Sequence, residues 1–548
     1  MELIEKTVGH VLREKAATRP DHNFIIYSDS GLRFTYAEFD KRVDDFAKGL
    51  LSIGVKKGDN IGLWATNVPD WNTVLFACAR IGAVLITVNT GYKTHELEYV
   101  LQQSDMVCMI LTNGWRDSDY IAMMNEIVPE LKTAQAGQIN SAKFPHFKYV
   151  VHIGQQKHCG MFTASEVFTL GQQADSTQLH EIEKSLNVDD VVNILYTSGT
   201  TGFPKGVMLT HRSILNNGLI GGDNMRLTEK DKVCIPVPLF HCFGIVGMMV
   251  SLTHDSAAAI LEGFDPLLVL ATIQKEKCTA VYGVPTMFIA ELNHPMFKTF
   301  DLSSLRTGVL AGSPCPIEVM RKVIDLMYMK DVTICYGLTE TAALITQTHY
   351  DDDITVKVET VGRALPNIEV AIRDQETGEE CPDGVHGEFC CRGYNTMKGY
   401  YKMPEATAQC IDKNGWLHTG DRGVKDKDGN FRITGRLKDM INRGGENISP
   451  KEVEDFLYTM PGIKDVQVVG ITSEKYGEEV GAFVILHPDV KMNIEDVRDY
   501  CRDKIGKYKI PKYVFFVNSY PLTSSGKIQK YLLREMGDKL VKEQAQAT

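Results

Sequence analysis

The chain has 548 residues, too many for one hydrophobic core, so two or more domains are expected. Apolar content of 43% and charged content of 24% are those of a soluble globular enzyme. A net charge of −11 argues against non-specific nucleic-acid binding, yet nucleotide binding needs only local positive charge.

Met1-Glu2-Leu3-Ile4-Glu5 is acidic and lacks a basic or apolar leader segment, which argues against a signal peptide or mitochondrial presequence. Thirteen scattered cysteines without C-x-x-C spacing read as reduced, packed thiols of a cytoplasmic protein. The adjacent Cys390-Cys391 is a poor arrangement for ligating one metal.

Helix and strand signals alternate through the first half. Thr35-Tyr36-Ala37-Glu38 predicts a capping box, with Phe39, Val43, Phe46, Ala47, Leu50 and Leu51 at helical spacing and Gly54 as the stop. A buried strand at Ile61–Ala65, a helix over Asp70–Ile81 and a strand at Val84–Val88 follow. This order implies a parallel, helix-covered sheet. Gln135–Pro145 reads as a surface loop.

Tyr196-Thr197-Ser198-Gly199-Thr200-Thr201-Gly202-Phe203-Pro204-Lys205-Gly206 stands between the apolar runs Val191–Leu195 and Val207–Leu209, giving strand–loop–strand. Gly199, Gly202 and Gly206 leave backbone N–H groups unshielded. Four hydroxyls and Lys205 add donors and charge, which is phosphate-binding chemistry. Pro204 before the lysine and Gly206 after it exclude the Walker pattern.

Ile235–Leu252 is apolar but interrupted by His241 and two glycines, and is short for a membrane span. It reads as a buried element lining a site. Tyr336-Gly337-Leu338-Thr339-Glu340-Thr341 follows a short strand at Val332–Cys335. A carboxylate leaving a strand end beside a phosphate loop suits Mg²⁺, which prefers such oxygens. In Trp416-Leu417-His418-Thr419-Gly420-Asp421, the aspartate could accept from two vicinal hydroxyls at once.

The texture changes near residue 436. Ser449-Pro450-Lys451-Glu452 predicts a second capping box, with strands at Val466–Val469 and Ala482–Leu486, a helix over Ile494–Ile505 and a strand at Tyr513–Val517. These make a compact α+β module able to fold as its own domain. Paired glycines in Arg443-Gly444-Gly445-Glu446 permit close approach to a narrow ligand.

Taken in order, these segments resemble the adenylate-forming superfamily of acyl-CoA synthetases, peptide-synthetase adenylation domains and beetle luciferases. The resemblance runs from about residue 7 to residue 533. Pro236–Gly244 and Gly283–Pro295 are similar to the medium-chain acyl-CoA synthetase group (acyl-CoA synthetase family member 2-like).

The resemblance implies an α/β fold with a large domain of layered, helix-covered sheets over 1–435. A smaller mobile α+β lid spans 436–548, with a hinge near 436–440. It implies ATP, Mg²⁺ and coenzyme A as partners of a carboxylic acid. Thr197, Ser198, Gly199, Thr200, Thr201, Gly202 and Lys205 would cradle phosphates; Thr339 would touch the AMP phosphate and Glu340 hold the metal. Tyr336, Gly312 and Ser313 fall at the nucleotide, with Gly312-Ser313 lining adenine. Asp421 and Arg436 would fix the ribose, Lys438 would be the hinge, and Gly444 and Gly445 would line the pantetheine channel. Lys527, in Pro521-Leu522-Thr523-Ser524-Ser525-Gly526-Lys527-Ile528, would bridge the substrate carboxylate and the α-phosphate.

Amino-acid activators of this superfamily carry an Asp after the phenylalanine of Pro238-Leu239-Phe240-His241. His241 in its place disfavours amino acids and fits fatty or aryl acids. His241, Phe243, Val284, Pro285 and Met287 are the expected acyl pocket.

The expected activity is ATP-dependent fatty acyl-CoA ligation on medium or long chains. Aryl-acid ligation, carrier-protein loading and a luciferase-like oxygenase are the alternatives within the superfamily. A non-catalytic nucleotide-binding regulator is disfavoured by the presence of both Glu340 and Lys527, since a mere binder has no need of the lysine. Peripheral membrane contact and a homodimer are left open; no transmembrane segment is expected.

Overall fold

A computed structural model describes residues 1–197, 204–444, 446–502, 504–522 and 528–546. Two compact units divide the chain: Met1–Val370 with Cys391–Leu417, and Ala371–Cys390 with His418–Thr548.

The larger unit is built on two sheets. In a nine-stranded sheet, Asp331–Tyr336, Thr307–Ala311, Ala280–Gly283, Lys232–Ile235, Ala257–Ile260 and Asn23–Tyr27 lie side by side and all parallel. In an eight-stranded sheet the parallel set is Val191–Thr197, Val84–Thr87, Asn60–Trp64, Cys108–Leu111, Tyr149–His152 and Phe162–Thr163. Strands such as Asn60–Trp64 and Ala280–Gly283 are buried at every residue, as expected where helices cover both faces. The expected order of helices and strands in this half is present, with the capping box at Thr35, the helix Tyr36–Ile53 and Gly54 at φ 108°.

Helices here approach backbone to backbone. A Cβ on Gly171, in the helix Ala164–Gln173, would lie 1.7 Å from the carbonyl oxygen of Asp45. The same close approach explains Gly49, whose Cβ would meet the Val167 carbonyl at 2.0 Å.

The smaller unit holds the hairpin Leu417–Lys425 with Phe431–Arg436 and a sheet whose long central pair is Ile463–Ser473 and Gly477–Leu486. Val466, Val468, Val480 and Val484 pack in one cluster; Ile471, Phe483, Phe515 and Leu533 pack in another.

Four local expectations are corrected. Ser449 does begin the helix Pro450–Leu457, but makes no capping box. Its hydroxyl donates instead to the Thr434 carbonyl at 2.6 Å, a tertiary partner that outcompetes the local one. The central strands run through Gly470 and Gly481, because Gly481 makes room for Ile471, which a Cβ there would meet at 2.5 Å. The helix Ile494–Cys501 ends early, at Arg502 with ψ 138°. Gln135–Pro145 has no regular structure, yet Ile139 and Phe144 are buried in the core.

Gly171→Ala is expected to destabilise the protein by more than about 3 kcal/mol, since backbone rather than a flexible side chain blocks the new methyl. Chemical denaturation should show it as a lowered midpoint; a midpoint equal to the wild type would contradict the close approach.

Candidate active site

The strands Val191–Thr197 and Lys205–Thr210 pair antiparallel, and their last pair is Thr197 with Lys205. The hairpin loop they close falls at residues 198–203, so Ser198, Gly199, Thr200, Thr201 and Gly202 lie outside the described residues. The stem is braced from outside. Tyr99 donates to the Pro204 carbonyl at 3.1 Å, Tyr196 bonds Gln103, and Gln103 donates to the Tyr401 carbonyl at 2.8 Å. A Cβ on Gly206 would lie 2.9 Å from Ile194, so this glycine serves packing within the stem.

The second component leaves the strand Asp331–Tyr336 of the other sheet. Thr339–Thr341 is one short 3-10 turn, after which Ala342 and Ala343 take φ values of 49° and 81°. Left-handed backbone at a non-glycine costs about 1–3 kcal/mol and persists only where surroundings enforce it. Buried Asn217 does so, donating to the carbonyls of Thr341 at 2.9 Å and Ala342 at 2.7 Å. Its own amide oxygen accepts from Tyr394 at 2.8 Å. Asn395 donates to the Leu344 carbonyl at 2.7 Å. Gly337 lets the chain double back, since a Cβ there would sit 2.2 Å from the Ala343 oxygen.

Tyr400 joins these two components. Its hydroxyl donates to Glu340 Oε1 at 2.8 Å, and Lys205 Nζ lies 4.9 Å from its ring centroid. Burial, then the Glu340 charge, pushes the phenol well above its ordinary range, so it stays protonated as the donor. Glu340 is half-buried, and its Oε2 has no hydrogen-bond partner among the described residues. A hard cation that takes carboxylate and phosphate oxygens fits this donor set.

The expected acyl-pocket residues adjoin the turn. His241 begins the buried helix Cys242–Thr253, its Nδ1 accepting from the Phe243 N–H at 3.3 Å. Cys242 Sγ is 3.6 Å from His241 Nδ1 and 3.7 Å from the Thr339 hydroxyl, which brings His241 and Thr339 together. Phe243 packs on Tyr282 with ring centroids 5.1 Å apart. Tyr282 precedes Gly283 and Val284, and Val284 begins the helix Pro285–Leu292 that carries Met287. Pro285 is buried; Val284 and Met287 are half-buried. Gly312 and Ser313 are exposed at the end of Thr307–Ala311, Gly312 with φ 86°. Tyr336, half-buried, ends the neighbouring strand.

Glu291, four residues beyond Met287, is 1% exposed, and its Oε2 has no hydrogen-bond partner among the described residues. Burial pushes this carboxyl up to about 8.

In the smaller unit, Asp421 is buried and pairs with Arg436 directly across the hairpin, Oδ1 to Nε at 3.1 Å. The turn before it is held by Glu388, which accepts from the Gly420 N–H at 3.1 Å and from His418 Nδ1 at 2.7 Å. Cys390 Sγ lies 3.5 Å from the same nitrogen. Among the described residues, Glu388, Cys390 and His418 are the one cluster with metal-ligand spacing. Lys438 is exposed in the short turn Leu437–Asp439. Gly444 has φ 61° and its N–H donates to the Tyr476 carbonyl at 2.8 Å. Gly445 and Lys527 lie outside the described residues; Leu522 and Ile528 pair on either side of the latter's segment.

Sequence reasoning missed Asn217, Tyr394, Asn395 and Tyr400. The doublet Tyr400-Tyr401 after Gly399 was the only local signal, and it carries no chemistry until the fold places Glu340 beside it.

Two family descriptions match the chain: AMP-binding enzyme over residues 12–401 and AMP-binding enzyme C-terminal domain over residues 452–527. The chain belongs to the AMP-binding enzyme family. Curated relatives align over nearly the whole chain. The candidate acyl-CoA synthetase YngI of Bacillus subtilis strain 168 is 49% identical over 97% of each chain. The mitochondrial medium-chain acyl-CoA ligase ACSF2 of Danio rerio is 40% identical over 98% of this chain and 89% of its own. A solved structure of this fold, the Mycobacterium tuberculosis fatty acyl CoA synthetase, aligns with TM-score 0.74 at 27% identity, over 97% of this chain and 99% of that one. Among the described residues no helix is long and apolar enough to cross a membrane. The adenylate-forming resemblance therefore extends over the 97% of the chain that aligns with YngI.

The elevated Glu291 carboxyl predicts a pH dependence. Between its ordinary value of 4.5 and about 8 the folded state holds a proton that the unfolded chain has lost. Its contribution to stability is therefore full below about 4.5 and declines as pH rises towards about 8. Glu291→Gln removes the titration, so the variant should gain on the wild type between pH 5.5 and pH 8 in denaturation midpoints, by about one pKa unit's worth of free energy or more. A constant difference across that range would contradict the buried, protonated acid.

Proposed function

We propose that the protein is an ATP-dependent fatty acyl-CoA ligase acting through an acyl-adenylate. The observation that carries this reading is the Glu340–Tyr400–Lys205 arrangement, which sets a carboxylate and a cation beside the mouth of a hydroxyl- and glycine-rich loop. A carboxylate oxygen of the acid attacks the α-phosphorus of ATP, the bond to the bridging oxygen breaks, and pyrophosphate leaves. The coenzyme A thiolate then attacks the acyl carbonyl, the carbon–oxygen bond breaks, and AMP leaves.

Catalysis of the first step is positioning and charge neutralisation. Thr197, the hydroxyls of the 198–203 loop and Lys205 would hold phosphates, Thr339 the α-phosphate, and Gly312, Ser313 and Tyr336 the nucleoside. Glu340 would hold Mg²⁺, which when bound offsets phosphate charge. Asp421 and Arg436 would fix the ribose, and Gly444 and Gly445 would border the pantetheine arm. Lys438 is proposed as the hinge at the start of a lid over 436–548. Thirteen scattered cysteines without C-x-x-C spacing fit the proposed cytoplasmic location.

The proposed acid is a medium-chain, unbranched fatty acid, with long chains the next choice. Phe243, Val284, Pro285 and Met287 offer apolar surface at the His241 end of the site, and none carries a partner for an ammonium. A buried CH₂ is worth about 0.8 kcal/mol, or roughly fourfold in kcat/KM per carbon until the pocket is full. The test is AMP release from a series of straight-chain acids, with and without CoA. A kcat/KM that climbs with each added carbon to a maximum among medium-chain acids supports the reading. A maximum at acetate, an aryl acid or an amino acid refutes it, as does acyl transfer only to a carrier protein.

Lys527→Ala should cut adenylation a few hundredfold, by the roughly 3–4 kcal/mol that such a transition-state contact supplies. Thioester formation from preformed acyl-AMP should be nearly intact in the same variant. Equal loss in both half-reactions would count against Lys527 as the adenylation lysine.

A further inference from the structure

Lys205 and Glu340 are opposite charges at the same mouth, and a direct ion pair between them would neutralise both. Tyr400 stands between them: its ring face receives the Lys205 ammonium at 4.9 Å, and its hydroxyl donates to Glu340 Oε1 at 2.8 Å. A π-face attracts a cation without consuming its hydrogen-bond donors. A phenol O–H fixes one carboxylate oxygen and leaves the other for a cation.

The tyrosine is held firmly. The short strand Gly399–Tyr400 pairs antiparallel with the phosphate-loop hairpin, Tyr400 opposite Val207. The Tyr401 N–H donates to the Gly206 carbonyl at 2.8 Å and the Tyr400 N–H to the Thr407 hydroxyl at 2.9 Å. From the Glu340 side, the Met397 N–H donates to the Glu340 carbonyl at 2.8 Å. Residues 397–401 therefore link the hairpin of one sheet to the Thr339–Thr341 turn of the other.

We propose that Tyr400 is a positioning residue for adenylation, holding Glu340 in the orientation that binds the metal and keeping Lys205 apart from it for the phosphates. The proposal rests on the acyl-CoA ligase reading. It predicts that Tyr400 matters to the step that handles the β- and γ-phosphates and not to acyl transfer from acyl-AMP.

The test is Tyr400→Phe, which keeps the ring and loses the O–H, with Y400W as an independent second arm that also lacks the phenol. AMP release is measured against Mg²⁺ concentration at saturating acid, alongside thioester formation from preformed acyl-AMP. Loss of a charge-assisted hydrogen bond to Glu340 should raise the Mg²⁺ needed for half-maximal rate about tenfold in both variants. The KM for the acid and the second half-reaction should stay within about twofold of the wild type. Tyr400→Leu removes the ring as well, so it should add a rise in KM for ATP. An unchanged Mg²⁺ requirement in either Y400F or Y400W overturns the proposal, and so does equal loss in both half-reactions. Failure of the wild type to release AMP with any carboxylic acid would instead overturn the ligase reading, before Tyr400 is at issue.

Discussion

The site depends on one constraint: strands hydrogen-bonded in parallel must all deliver their carboxyl ends to one edge. Lys232–Ile235, Ala280–Gly283, Thr307–Ala311 and Asp331–Tyr336 are neighbours in that sense. Their next residues lead to His241, Val284, Gly312 and Thr339-Glu340. Segments up to a hundred residues apart in sequence thus meet without any dedicated contact being designed between them. Helices return the chain to the opposite edge each time, so the candidate residues are concentrated where the strands end.

Parallel strands place these groups but do not orient them, and orientation is where the structure spends free energy. Two successive alanines in the left-handed region follow Glu340, and buried Asn217 and Asn395 hold three carbonyls of that turn. A buried amide left without such partners would itself be costly, so turn and asparagines enforce each other. The strain at Ala342 and Ala343 is thus matched by a rigid polar network, which keeps Glu340 from relaxing away from Tyr400. For the proposed metal-holding role of Glu340, rigidity would matter more than strength, because phosphate chemistry gains from groups already in position.

What could be read from the sequence follows from range. The capping box at Thr35, the stop at Gly54 and the hairpin stem at 191–209 are local in cause, and the structure has them. Thr339 and Glu340 could be singled out because a hydroxyl and a carboxylate at a strand end suit phosphate and metal, and the structure does place them just beyond the strand Asp331–Tyr336. Tyr400 was not, since its meaning lies sixty residues away in Glu340. Asn217 serves carbonyls 124 and 125 residues distant, and nothing about an asparagine within a helix announces that. Ser449 failed for the same reason in reverse: the local pattern was correct, but a carbonyl fifteen residues earlier in the chain was the better partner. Buried Glu291 had no signature either, because a charged residue in a helix reads as solvated until packing encloses it.

The cluster Glu388, Cys390 and His418 shows how spacing alone can mislead. Its atoms stand at ligand distances, yet both carboxylate oxygens of Glu388 are already engaged, one by the Gly420 N–H and one by His418 Nδ1. A cation would have to break the second bond to gain the imidazole. The arrangement makes better sense as a brace for the turn: the Thr419 hydroxyl donates to the Phe389 carbonyl at 2.7 Å and accepts from the Asp421 N–H at 3.1 Å. Glu388 and Thr419 together fix the backbone immediately before Asp421, whose carboxylate then meets Arg436 across the hairpin. A buried carboxylate paired with a guanidinium across the hairpin has a defined direction, as the proposed acceptance from two neighbouring hydroxyls by Asp421 needs.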